Sequence, residues 1–158
     1  DPDDGEVLGY EGIYAGAGTI RQTGDPSTLL LADSGREVLE GDRLIEQNQA
    51  YPAYFTPRAS AQDVNGSIIA VIDGVSQIGT TDIVVLNKGE RDGLEVGQVL
   101  AIYQAGQLIF DDVAQENVQL PDVRAGLAMV FETFEKASYA IVLKSDKPLK
   151  VVDIVKNP

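Results

Sequence analysis

The chain has 158 residues, with 12 Lys and Arg against 25 Asp and Glu, a formal net charge of −13. That length fits one domain or two small ones, and a hydrophobic content of 44% is enough for a core, which sets aside wholesale disorder. With no Cys and no His, thiol chemistry, disulfides and the commonest general base and metal ligand are excluded, so no metal site and no cofactor is expected. So acidic a surface repels phosphate backbones and anionic lipid, so nucleic acid is not an expected partner. The apolar runs fall far short of the ~20 residues that span a bilayer, so no membrane insertion is expected.

The chain opens Asp1-Pro2-Asp3-Asp4-Gly5-Glu6. Its D-x-D spacing suggests a calcium loop, but Gly stands at position five and position twelve is Gly12 rather than a bidentate Glu, so a plain Asp-Gly turn is predicted. The start lacks Met and any apolar leader, and reads as a piece cut from a longer polypeptide. Tyr14-Ala15-Gly16-Ala17-Gly18 is glycine-rich, yet no phosphate-binding pattern or helix start follows it.

Beyond this point the residue mix points to strands. Val and Ile total 29 against 14 Leu, and β-branched side chains suit pleated surfaces. Short apolar or alternating runs occur at 29–31, 67–72, 82–86, 99–103, 126–131, 139–143 and 151–155. Turn signals such as Gly24-Asp25-Pro26, Asp73-Gly74, Asn87-Lys88-Gly89 and Ala105-Gly106 punctuate them. No window carries a helical stripe. The predicted fold is all-β, made of small barrel- or sandwich-like lobes of short antiparallel strands, with under roughly a tenth of residues helical.

A weak internal repeat supports this. Leu39-Glu40-Gly41-Asp42-Arg43-Leu44, Glu95-Val96-Gly97-Gln98-Val99-Leu100 and Val151-Val152-Asp153-Ile154-Val155 each place a tight turn before a strand, and they end at 44, 100 and 155. A longer match aligns residues 8–45 with 125–156, both running strand, turn, strand, turn, strand. Two lobes are predicted, at 1–48 and 64–158, the first expected to be incomplete at its N-terminus. Between them, 49–63 is a connector rich in Pro and aromatics. Tyr51, Tyr54 and Phe55 within it are the candidate interaction residues; they are expected to be at least partly buried between the lobes, with a stacking platform for a sugar or peptide as the alternative. The tail from 136 to 158 carries +3 and is expected to lie against acidic neighbours or to form a solvated strand face with Lys protecting its edge.

Catalytic residues are not assigned. A glycosidase needs two carboxylates roughly 5–10 Å apart across a cleft. Asp111 with Asp112 sits in a predicted turn, Glu132 with Glu135 flanks Phe134 at a strand end, and the chain has no Trp to line a sugar site. Ser34-Gly35 and Ser76-Gln77 have no His to activate a nucleophile. The chain is expected not to be an enzyme; the alternative is a glycan-acting cell-wall hydrolase or a sugar-binding module.

Several stretches carry a family resemblance: Gly5-Glu6-Val7-Leu8-Gly9-Tyr10-Glu11, Val38-Leu39-Glu40-Gly41-Asp42-Arg43-Leu44, the run from Ile68 to Gly79, Val84-Val85-Leu86-Asn87-Lys88-Gly89, and that from Asp92 to Tyr103, with Leu120-Pro121 and Ala125-Gly126. Together they resemble the C-terminal region of LysM-containing, peptidoglycan-binding envelope proteins of Gram-negative bacteria. The resemblance implies a periplasmic, cell-envelope location and a non-catalytic accessory or binding role. It also implies partners in the cell wall or among envelope proteins, reached through modules outside these residues. LysM grips the glycan strands in that family; these 158 residues contain no LysM motif, so no glycan-binding position carries over.

Overall fold

The structure, a computed structural model, describes residues 1, 2, 4–47, 55–72 and 78–158. Among them eleven strands alternate with turns: β1 (Gly16–Gln22), β2 (Thr28–Ser34), β3 (Arg58–Ala59), β4 (Asn65–Val71), β5 (Ile83–Leu86), β6 (Gln98–Gln104), β7 (Leu108–Asp111), β8 (Glu116–Gln119), β9 (Val123–Thr133), β10 (Ser138–Ser145) and β11 (Ile154–Lys156). One 3₁₀ turn over Glu90–Asp92 is the only helical element described, so the protein is all-β, as its β-branched excess predicts.

Six strands close an antiparallel barrel in the order β11-β4-β5-β10-β9-β6, with β6 returning to β11. The short β3 adds in parallel at β6. Strand alternation decides which side chains turn inward. On β10, Ser138, Ala140 and Val142 are buried; on β6, Leu100 and Ile102 are, and Ile68, Val84, Leu86, Val130 and Val155 join them with essentially no exposure. Each large aliphatic so buried stabilises the fold by about 1.5–3 kcal/mol relative to exposure. A barrel this narrow is filled by its own side chains, and its interior is core rather than a ligand chamber.

Four turns share one design, and three of them lead directly into strands β5, β6 and β11. In residues 79–82, 95–98, 39–42 and 150–153 the fourth amide donates to the first carbonyl, at 3.4, 3.2, 3.1 and 3.2 Å. The third residue in each has positive φ: Thr81 at 75°, Gly97 at 89°, Gly41 at 101° and Val152 at 68°. That combination is a type II turn, which favours glycine at its third position. In three of the four, an Asp at the fourth position also accepts from the first amide, Asp82 from Gly79, Asp42 from Leu39 and Asp153 from Lys150, at 2.8–2.9 Å.

These turns expose an internal symmetry. β4 and β5 pair as antiparallel neighbours, turn 95–98 follows, and β6 comes next; β9 and β10 pair likewise, turn 150–153 follows, and β11 comes next. Exchanging β4 with β9, β5 with β10 and β6 with β11 reproduces every pairing of the barrel. The barrel is therefore two halves, each an antiparallel strand pair, a type II turn and a third strand.

The chain divides into two compact units, Tyr10–Tyr51, and Asp1–Gly9 with Pro52–Pro158. This differs from the expected lobes at the start of the chain, where Asp1–Gly9 groups with the barrel. The reason is polar: Arg91 donates from both terminal nitrogens to the two Glu6 oxygens, at 3.1 and 2.6 Å, and Lys136 Nζ donates to the same carboxylate at 2.7 Å. Asn87 Nδ2 donates to the Asp1 carboxylate at 3.1 Å. Hydrogen bonds from Arg91, then Lys136, hold the Glu6 pKa down at about 2.

The smaller unit is much simpler than a barrel. β1 and β2 form a two-stranded antiparallel ribbon, followed by the turn at 39–42. No described residue from 10 to 47 is buried.

Candidate functional site

The barrel's strands all start or finish at two rims, and the two rims differ in chemistry. At the rim where β4, β6 and β10 begin and β5 ends, four buried side chains are polar, Ser67, Asn87, Gln98 and Ser138, beside the apolar Val64, Leu86 and Ala137, whereas Asp153 is the buried polar residue where β11 begins. Asn87 Oδ1 accepts from the Ser67 amide at 2.7 Å, and Gln98 Nε2 donates to the Gly93 carbonyl at 3.4 Å. Ser67 Oγ, Ser138 Oγ and Gln98 Oε1 have no hydrogen-bond partner among the described residues. Beside this rim lies a shallow concavity of about 240 Å³ lined by Pro2, Asn65, Gly66, Ser67, Val152 and Ile154. Gly89 holds the rim together by close approach: a Cβ there would collide with the backbone of Phe134, Ala137 and Glu135.

From the opposite rim, where β6 ends and β9 begins, projects the hairpin of β7 and β8. Its register is regular, with Leu108 opposite Gln119, Ile109 opposite Val118 and Phe110 opposite Asn117. The tip is tied by Asp111, whose Oδ1 accepts from the amides of Val113 and Ala114 at 2.8 and 3.1 Å. Asp111 thus serves the turn, as its sequence position suggests. The base is fixed as well: Gln119 Nε2 donates to the Gly106 carbonyl at 2.6 Å, and Lys156 of β11 donates to Asp122 at 2.9 Å. The Lys156 hydrogen bond, with that of the Gly106 amide, lowers the Asp122 pKa.

An anchored hairpin with polar faces would be an ordinary surface loop. This one carries Leu108, Ile109 and Phe110 in sequence, all exposed, and Val113 at its tip is 94% exposed. Leu108 and Phe110 share one face and Ile109 takes the other. The outer edges of β7 and β8 pair with no other described strand. Free edges and an uncovered apolar stripe are the two features by which an extended segment is recruited through strand addition.

Of the connector aromatics, only Phe55 falls among the described residues, and it is half-buried; Tyr51 and Tyr54 lie outside them. Three other aromatics cluster instead: Tyr139 of β10 packs edge-on to Phe134 with centroids 5.1 Å apart, and lies 6.2 Å from Phe131. The basic tail behaves partly as expected, since Lys136 meets Glu6, Lys144 meets Asp146 and Lys156 meets Asp122. Among the described residues no three acids converge to hold a metal ion. The β7–β8 arm is not among the strand runs that the sequence suggests; its only signals there are the flanking Ala105-Gly106 and Asp111-Asp112.

No family model matches the chain, and no curated protein is similar to it.

Proposed function

We propose that this chain is a non-catalytic binding module of a cell-wall-associated, periplasmic protein of the LysM type, and that it engages an envelope protein through the β7–β8 arm. The observation that carries the binding role is the anchored hairpin with Leu108, Ile109, Phe110 and Val113 uncovered at its surface. Contiguous exposed apolar surface on an ordered element marks interaction sites. The envelope setting rests on the sequence resemblance, and attachment to glycan belongs to a LysM module elsewhere in the polypeptide. The filled barrel interior and the use of Asp111 to tie a turn favour this reading over glycan hydrolysis.

Two measurements test it. A photo-cross-linking residue placed at Phe110 should trap one defined envelope protein, whereas the same probe at Glu90, on the far rim, should not. Equal, diffuse labelling from both positions would refute the arm. The 158-residue chain should also release no muropeptides from purified cell-wall sacculi and should fail to sediment with them, while a polypeptide that includes a LysM module should sediment. Muropeptide release abolished by substituting one acid would make the protein a hydrolase.

A further inference from the structure

The smaller unit repeats the plan of a barrel half without the rest of a barrel. β1 and β2 pair antiparallel as β9 and β10 do, the turn at 39–42 matches that at 150–153 in its hydrogen bonds and in the sign of its third φ, and Arg43-Leu44-Ile45 stands in sequence where β11 stands, although it is not paired as a strand. Superposing the two turns in sequence places Leu29 and Leu31 on Ala140 and Val142, and Leu44 on Val155. In the barrel those three positions are buried to 1% exposure or less. In the smaller unit none of their counterparts is buried: Leu29 is half-buried, Leu31 is 45% exposed and Leu44 is 76% exposed. Across the ribbon Ile20 faces Leu29 and Gly18 faces Leu31, so Ile20, Leu29 and Leu31 share the face that corresponds to a barrel interior.

A two-stranded ribbon that leaves apolar side chains exposed has marginal stability in water. What completes such a half is known from the barrel of the same chain: a second half of the same design. We propose that the smaller unit is the C-terminal half of a second six-stranded barrel, closed by a strand-pair, turn and strand segment that precedes it in the same polypeptide. Two observations favour that occupant over a second copy of the chain. The unit matches β9–β11, the later half, and in the closed barrel the earlier half lies upstream on the same chain. Residues 10–51 carry a net charge of −4, so two copies brought face to face would repel. The open face, wherever the chain starts, is what calls for the partner. This inference is independent of the function proposed for the β7–β8 arm.

Hydrogen exchange tests it on two polypeptides, the 158 residues and a natural chain extended upstream. In the 158 residues, amides of β1, β2 and 43–45 should exchange rapidly while those of β9 and β10 stay protected. In the extended chain the former should gain protection of at least about tenfold, since stable barrel strands open far more rarely than a bare ribbon. Leu29→Asp with Leu31→Asp in the extended chain should abolish that gain and leave β9 and β10 unchanged. Three results would overturn the proposal: no gain in the extended chain, a reading frame with no strand-forming segment upstream, or a dimer of the 158 residues in which β1 and β2 are already protected.

Discussion

Val152 is the residue most plainly at odds with its place. It occupies the third position of a type II turn at φ 68°, where its counterparts in the repeat are Gly41 and Gly97. A left-handed conformation costs an L-residue roughly 1–2 kcal/mol, and β-branching adds crowding. Its side chain is more than half exposed, so little packing offsets that strain. Val152→Gly should therefore raise stability by about 1 kcal/mol, read as a higher midpoint in thermal or urea unfolding. The reciprocal change, Gly97→Ala, should lower it by roughly 1–2 kcal/mol, because its φ is also positive and the added Cβ would stand 3.0 Å from the Thr56 carbonyl. The Gly-containing turns are legible from sequence; a Val performing the same turn is legible only through the spacing of the repeat.

At the scale of elements, the segment Asp1–Gly9 is held by charge and hydrogen bonds. Glu6 has a folded pKa of about 2, below its ordinary value, so its ion pairs stabilise the docked segment fully above the ordinary carboxylate range. That contribution fades as pH falls from about 4.5 towards 2. Glu6→Gln should flatten this part of the acid-unfolding profile and make β-barrel stability less sensitive to salt, measured by urea midpoints at several pH values. The β7–β8 arm behaves oppositely, since its apolar residues contribute little to the folded chain. Ile109→Ser with Phe110→Ser should leave the melting transition within about 0.5 kcal/mol of the parent while removing the envelope cross-link. Sequence reading recognises neither element for what it is. The arm is not singled out among the predicted strands because its apolar residues run consecutively over only three positions, and Glu6 passes for a turn acid because its partners lie 85 and 130 residues away.

For the whole molecule, the repeat offers a direct comparison between equivalent positions. Leu100 and Leu44 end matching motifs, yet Leu100 is wholly buried and Leu44 is 76% exposed. Leu100→Ala should cost about 2–5 kcal/mol through lost burial and a cavity, whereas Leu44→Ala in the same 158 residues should stay within about 0.5 kcal/mol; chemical unfolding of the two variants side by side reads the contrast. By itself, the sequence determined the all-β class, the short strands and most of their turns. These depend on local causes, namely β-branched side chains, alternation of period two, and Gly, Asn and Asp where φ must turn positive. It also carried the repeat, because each half-barrel spells out its own strand pair and turn. Only the tertiary structure decided that two repeats close on each other into one barrel while the first copy lies open. Strand closure is set by pairings between residues far apart in the chain, such as Val155 of β11 with Gly66 and Ile102, and local patterns do not record which copy meets which. For the same reason, an identical apolar alternation reads alike at Leu100 and at Leu44, and burial separates them only once their neighbours are in place.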